Sequence, residues 1–257
     1  MQYGEIIIGP PGSGKTTYVK FKKDLLSQRN PFLINLDPGN ESDYKYDYDI
    51  RSISTTQDTM KTREIGPNLS VKRILYEFVS KQVFDDIRSH NENRYFIFDF
   101  PGQCEFFLSD SILREFVYST RKLISFTVVN LIDSVFFIDY HSRLSSYLIS
   151  TMCCVLLQCP FVGVISKCDN LKNLPSKVPI RDIVYGITPD MGKGFYHAIE
   201  ELVANEGLLS FELLDYDNKE TVLYLQYVID KANGFFYLAE ENVCISKEDL
   251  LDYYSCE

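Results

Sequence analysis

Short apolar runs alternate with longer amphipathic stretches along this chain, and the alternation predicts strands and helices in turn. The runs Glu5 to Gly9 (EIIIG), Pro31 to Asp37 (PFLINLD), Tyr95 to Asp99 (YFIFD), Phe126 to Asp133 (FTVVNLID), Phe161 to Ser166 (FVGVIS) and Phe211 to Leu214 (FELL) read as strands. Between them, Thr16 to Gln28 has apolar residues near helical spacing. Ser54 to Gln57 (STTQ) reads as a capping box opening a short helix to about Glu64. Further helices are expected over about Ser70 to Ser89, about Tyr140 to Leu157, Asp190 to Ala204, and KETVLYLQYVIDKANG, with Gly234 as its stop. Such alternation implies an α/β fold, a doubly wound, mainly parallel sheet with helices on both faces and right-handed crossovers. Ligands of these sheets sit at the carboxyl ends of the strands.

Composition narrows the class. The 257 residues are long enough for one large α/β domain over 1–257, and 45% hydrophobic residues can fill its core. The net charge of −10 speaks against a broad nucleic-acid surface, because phosphate contacts need clustered Lys and Arg. No direct nucleic-acid partner is expected. Seven cysteines without a C-x-x-C pair, and three scattered histidines, make zinc and a disulfide framework poor expectations and point to reduced thiols. The most apolar stretch, Leu123 to Ile138, is interrupted by Asn130 and Asp133, so no membrane span is expected. The sequence enters its first strand at once, and no signal peptide is expected.

Candidate chemistry begins at GPPGSGKTTY, Gly9 to Tyr18. Gly9, Gly14, Lys15 and Thr16 fit G-x-x-x-x-G-K-[ST], the phosphate loop of a P-loop NTPase. Backbone N–H groups of Gly12, Ser13 and Gly14 would face the phosphates, where glycine permits close approach. Lys15 would reach the β- and γ-phosphates as a point charge, and Thr16 would ligate magnesium. Thr17 would add a hydroxyl near the α-phosphate. Strand, loop and helix follow in the order the motif requires.

After the strand Phe161 to Ser166 comes Ser166-Lys167-Cys168-Asp169, close to the guanine signature [NT]-K-x-D. An Asp169 carboxylate can accept from the N1–H and exocyclic amine of guanine, and adenine offers no such pair of donors. The stem of Lys167 can lie along the purine. Ser166 replaces Asn or Thr. The segment over about 170–189 shows no clear element and reads as an insertion near the base. The expected ligands are therefore GTP or GDP with Mg²⁺.

DFPGQCE, Asp99 to Glu105, resembles the D-x-x-G element of GTPases. Asp99 would hold magnesium through water, and the Gly102 N–H would sense the γ-phosphate. Ahead of it lies Gly66-Pro67-Asn68. In order, the phosphate loop, NLDPGNE (Asn35 to Glu41), DIR (Asp49 to Arg51), GPN (66–68), DFPGQ, SKCD and DKANG (Asp230 to Gly234) resemble the GPN-loop GTPases, most of all the branch called GPN-loop GTPase 2. The chain departs from the family in having Leu69 and Ser70 after the tripeptide, where glycines are common, and Phe100 in place of a smaller residue.

The resemblance implies a dimeric GTPase, paired with itself or with a paralogous GPN-loop GTPase. It implies action in assembly and nuclear import of RNA polymerase II, with polymerase subunits or assembly factors as partners. Its location would be cytoplasmic, with shuttling to the nucleus. The resemblance also implies that Asn68, flanked by Gly66 and Pro67, points its amide at the phosphate bound by the partner subunit. Asp37 is the candidate base for the attacking water, with a strand-end cap or outer magnesium ligand as its other reading. Gln103 would orient the water and Glu105 would assist. Asp49 and Arg51 would form a structural pair or report nucleotide state, and the run SDYKYDYD (Ser42 to Asp49) is a contact site or a solvated loop. Two other functions share the loop: a small-molecule or polynucleotide kinase, which usually carries an arginine-rich lid absent from this sequence, and a scaffold that binds GTP without hydrolysing it.

Overall fold

Ile6 and Ile8 project from one face of the first strand and Ile7 from the other, and all three are fully buried. Apolar residues at consecutive positions suit a strand covered by helices on both sides. The computed structural model describes residues 2–81, 83–89, 94–103, 105–108, 110–138, 140–170, 209 and 211–239. Its strands are β1 (Gln2–Ile8), β2 (Pro31–Asn35), β3 (Tyr48–Asp49), β4 (Tyr95–Asp99), β5 (Ile124–Asp133), β6 (Phe161–Ser166) and β7 (Phe211–Leu213). They form one sheet in the order β3-β2-β4-β1-β5-β6-β7, every pairing parallel. The chain builds out to one side of β1 and then to the other, so the switch of direction falls at β1, where such sheets bind ligands.

The helices are α1 (Lys15–Leu25), α2 (Thr56–Arg63), α3 (Pro67–Ser80), α4 (Val83–Ser89), α5 (Glu105–Leu108), α6 (Ile112–Thr120), α7 (Tyr140–Leu157), α8 (Lys219–Asn233) and α9 (Phe236–Ala239). On one face, Ile6, Ile34, Phe96 and Phe98 pack with Ile74, Phe78, Phe84 and Phe116 from α3, α4 and α6. Phe84 meets Phe96, Phe98 and Phe116 edge-on at centroid separations of 5.3, 5.1 and 6.4 Å. On the other face, Ile7, Leu33, Ile97 and Val129 pack with Tyr18 and Val19 of α1 and with Val222, Leu225 and Ile229 of α8.

Several boundaries differ from the sequence reading. The strand expected over Pro31 to Asp37 ends at Asn35: Leu36 still donates its N–H to the Asp99 carbonyl at 2.8 Å, but Asp37 opens a turn in which its carbonyl accepts from the Asn40 N–H at 3.1 Å. The cap of α2 is Thr55, one residue later than expected, exchanging bonds with Asp58, since Thr55 Oγ1 accepts from the Asp58 N–H at 3.1 Å. The single helix expected over Ser70 to Ser89 is two, and it starts earlier. Gly66 is the N-cap of α3 and Pro67 its first residue, the place where a missing N–H costs nothing. The GPN segment, read as a loop at 66–68, is therefore a helix start. The helix expected over 190–204 and the insertion over 171–189 lie outside the described residues.

Beneath α1 the apolar packing gives way to a buried polar cluster. Glu5 of β1, fully buried, accepts from Tyr18 (2.8 Å), Lys22 (3.0 Å) and Tyr95 (2.8 Å). Lys22 also donates to Gln226, whose amide donates to Asp230 at 2.9 Å. Arg29 holds Asp230 with two bonds of 2.7 and 2.8 Å. Burial pushes the Lys22 ammonium below its ordinary value, against the pull of Glu5 and Asp230. Removing one member of such a set leaves a buried charge without its partner, at a cost of about 3–5 kcal/mol. Glu5→Gln is therefore expected to lower the stability of the nucleotide-free protein by about 3 kcal/mol or more, measured by urea denaturation.

Candidate functional site

The carboxyl ends of β1, β2, β4 and β6 converge on a cleft of about 500 Å³. Strand register sets their level: Asp99 pairs with Ile7 and with Asn35, and Ser166 pairs with Asp133. The phosphate loop runs from β1 to α1. Gly12 and Gly14 stand at φ 80° and 90°, a region a side chain disfavours, and Gly14 caps α1 without any side-chain bond. No cap side chain thus competes with an anion at the N-terminus of α1.

Lys15 Nζ donates to the carbonyls of Gly9 (3.0 Å) and Pro10 (3.2 Å), folded along the loop. A Cβ on Gly102 would come within 2.6 Å of that ammonium and 3.0 Å of the Pro11 nitrogen, so a side chain there would displace Lys15 and crowd the loop backbone. Thr16 donates to Asp99 Oδ2 at 3.2 Å, and Tyr46 donates to the same oxygen at 2.7 Å. Asp99 is 1% exposed, and its carboxyl is pushed up to about 6, chiefly by burial and further by the charge of Asp37. Burial also raises the Asp37 carboxyl, opposed by the Gly39 N–H, Lys15 and Arg51.

One hydroxyl and two carboxylates whose charged forms burial disfavours suit a small hard cation with oxygen ligands. Thr16 and Asp99 thus fit magnesium. Gln103 lines the cleft, and its Oε1 is buried and unpartnered, an acceptor that a donor such as water would satisfy.

The guanine-signature residues meet the phosphate loop from behind. Ser166 donates to the Ser13 carbonyl at 2.8 Å, with the Ile132 carbonyl at 3.2 Å. Lys167 donates to the Gly12 carbonyl and to Asp133, both at 2.6 Å. Cys168 donates to the Ile165 carbonyl at 3.1 Å, and burial pushes its thiol up to about 11, so it behaves as a packing group and not as a nucleophile. Asp169 is exposed, one residue further on.

The cleft brings together Gly12, Gly14, Lys15, Thr16, Thr17, Asp37, Asp99, Gly102, Gln103 and Lys167 of the expected site residues. Ser13 and Ser166 support it from beneath. Gly66, Pro67 and Asn68 are exposed at the start of α3, outside the cleft wall, and Glu105 is exposed at the start of α5. The reading of the sequence missed Gly39, Asn40 and Tyr46. Asp49 and Arg51 form an ion pair at 2.6 Å. Burial pulls the Asp49 carboxyl up, but bonds from Arg51 and Asn35 outweigh it and hold it below its ordinary value. Arg51 also donates to the carbonyls of Asn40 (2.9 Å) and Ser42 (3.1 Å), fixing the loop that follows β2.

Known proteins were compared with this chain. Residues 7–235 match a family described as "Conserved hypothetical ATP binding protein". GPN-loop GTPase 2 of Saccharomyces cerevisiae is 33% identical over 94% of this chain and 77% of its own length. GPN-loop GTPase QQT1 of Arabidopsis thaliana is 31% identical over 92% of this chain and 87% of its own. A crystal structure of a GTPase in apo form from Pyrococcus abyssi superimposes with a TM-score of 0.73, covering 90% of this chain and 97% of that one at 21% identity, a likeness of fold. With its phosphate loop, its D-x-x-G turn and Lys167 of its S-K-x-D segment in one cleft, and with such identity along nearly its whole length, the chain belongs to the GPN-loop GTPase family.

Proposed function

We propose that this protein binds GTP with magnesium and hydrolyses it to GDP and phosphate, acting as a dimeric switch. The observation that carries the reading is the bonding of the S-K-x-D segment to the phosphate loop itself, Ser166 to Ser13 and Lys167 to Gly12. A base-reading strand end and a phosphate-reading loop held in one unit suit a single nucleotide spanning both. Lys15 and Thr16 take the phosphates, and Asp99 with Thr16 takes the metal. Magnesium, when bound, supplies charge neutralisation at the β- and γ-phosphates. Asp37 and Gln103 face the phosphate end and act on the attacking water, Asp37 by accepting its proton and Gln103 by orienting it.

The dimer reading rests on the family and on the surface around the tripeptide. Asn68 is exposed, and Leu69 and Tyr76 on the same helix are 53% and 56% exposed, an apolar surface beside a carboxamide. A second copy or a paralogous subunit would cover it and receive Asn68 at its own phosphate. From the family likeness we further propose a role in assembly and nuclear import of RNA polymerase II, with cytoplasmic residence and shuttling. Retention of the polymerase in the cytoplasm on depletion of this protein is the expected result, read by microscopy.

The matched family is described as ATP-binding, while the relatives above are named GTPases, so the base is the first thing to test. Titration calorimetry with magnesium should show GTP and GDP binding and ATP binding far more weakly. Asp169→Asn should weaken GTP binding roughly 10–100-fold, the worth of hydrogen bonds to a charged acceptor, without weakening ATP; equal affinity for ATP and GTP in the wild type would overturn the guanine assignment.

Asn68→Ala should slow GTP turnover by about 100-fold, the scale of losing one donor to a developing charge. Its affinity for GTP should remain close to that of the wild type. Unchanged single-turnover rates would leave the protein a GTP-bound scaffold, and label appearing on an added acceptor would make it a kinase.

A further inference from the structure

Tyr46 lies in the segment SDYKYDYD, yet it is 6% exposed. Its hydroxyl donates to Asp99 Oδ2 at 2.7 Å, shorter than the 3.2 Å bond from Thr16 to the same oxygen. Asn40, on the cleft wall, donates to that hydroxyl at 3.3 Å. The ring is held edge-on by Tyr44 at 5.3 Å, and Tyr44 in turn lies under Lys20 of α1 at 4.9 Å. The next residue, Asp47, is fixed to β2 through two bonds with the Leu33 backbone, of 2.8 and 3.0 Å. The tyrosine is thus clamped from both sides, with its one polar atom aimed at the carboxylate.

We infer that Tyr46 is a positioning residue for the magnesium carboxylate and a latch joining the loop 36–47 to the metal site. The inference rests on the proposed magnesium-dependent binding of guanine nucleotide. Two donors on Oδ2 hold the carboxylate in one orientation, and Oδ1 would be the oxygen left for the cation or its waters. A Thr16 hydroxyl can ligate a metal through its oxygen while its O–H still donates to Asp99, so both bonds are compatible with the loaded site. Because Asp37, Gly39 and Asn40 belong to the same loop, anything that pulls Asp99 bears on the candidate base through Tyr46. A carboxylate bond of this kind orients a ligand much as outer partners orient metal ligands elsewhere, where their loss costs roughly 10–100-fold in affinity or activity.

The test is the magnesium dependence of GDP binding, followed with a fluorescent GDP analogue. In Tyr46→Phe, which keeps the ring, the magnesium concentration for half-maximal tightening should rise about tenfold, while GDP affinity in EDTA and the melting temperature without nucleotide stay near wild type. In an Asp99→Asn background, Tyr46→Phe should add nothing further. An unchanged magnesium midpoint in a folded Tyr46→Phe protein would overturn the inference. A wild type that binds guanine nucleotide with no magnesium dependence would overturn the underlying functional reading instead. Independently of any variant, amide hydrogen exchange over 37–47 in the GDP-bound wild type should slow on adding magnesium, and equal exchange with and without it would refute the latch.

Discussion

One buried carboxylate, Glu5, fixes how the phosphate-binding helix lies on the sheet. Its two oxygens take three donors, two from α1 and one from β4, so helix and strands are tied at a point from which water is excluded. Apolar packing would hold α1 against the sheet but would tolerate sliding along it, whereas directional bonds to a buried charge do not. Gln226, Asp230 and Arg29 extend the cluster to α8, and the Asn233 amide reaches the Tyr95 hydroxyl at 3.4 Å. The segment Asp230 to Gly234 therefore serves the phosphate loop from a distance: it braces the helix whose N-terminus meets the anion.

From that anchorage the cleft follows by register. Parallel strands place their last residues side by side, and four of them end in groups that bind, polarise or support. The positive groups, Lys15 and Lys167, bond loop carbonyls, and burial raises the proton affinity of both negative groups, Asp37 and Asp99, with the charge of Asp37 raising that of Asp99 further. A nucleotide with the proposed cation would answer both imbalances together: phosphate oxygens would offer the lysines anionic partners, and the metal would offer the carboxylates a countercharge.

The sheet was legible because both of its faces are buried, so strands appear as unbroken apolar runs, and the phosphate loop was legible because its contacts are local. What stayed hidden depends on residues far apart in the chain. The bond from Tyr46 to Asp99 spans 53 positions, and nothing in SDYKYDYD distinguishes the tyrosine that turns inward. The break between α3 and α4 has neither Gly nor Pro among its flanking residues, and the apolar period runs straight through it. By contrast α6 had a signal that went unread: Ile112, Leu113, Phe116, Val117 and Thr120 are buried at helical spacing. The start of α3 was also marked, by Pro67 after a glycine cap, but a Gly-Pro-Asn tripeptide reads equally well as a turn.

The departures from the family pattern keep contacts while changing residues. Ser166 is shorter than asparagine, yet its hydroxyl reaches the Ser13 carbonyl because β6 passes close beneath the loop. Ser70, where glycine is common, donates its hydroxyl to the Gly66 carbonyl at 2.9 Å, and the Ser70 N–H reaches the same atom at 3.0 Å. Two bonds on one carbonyl stiffen the cap that a glycine pair would leave loose, so Asn68 is presented from a rigid helix start and not from a mobile turn. Phe100 is fully buried and packs on Phe116 at 6.0 Å, tying the turn that carries Gly102 and Gln103 to the aromatic core. Each substitution trades flexibility for fixed geometry next to the cleft.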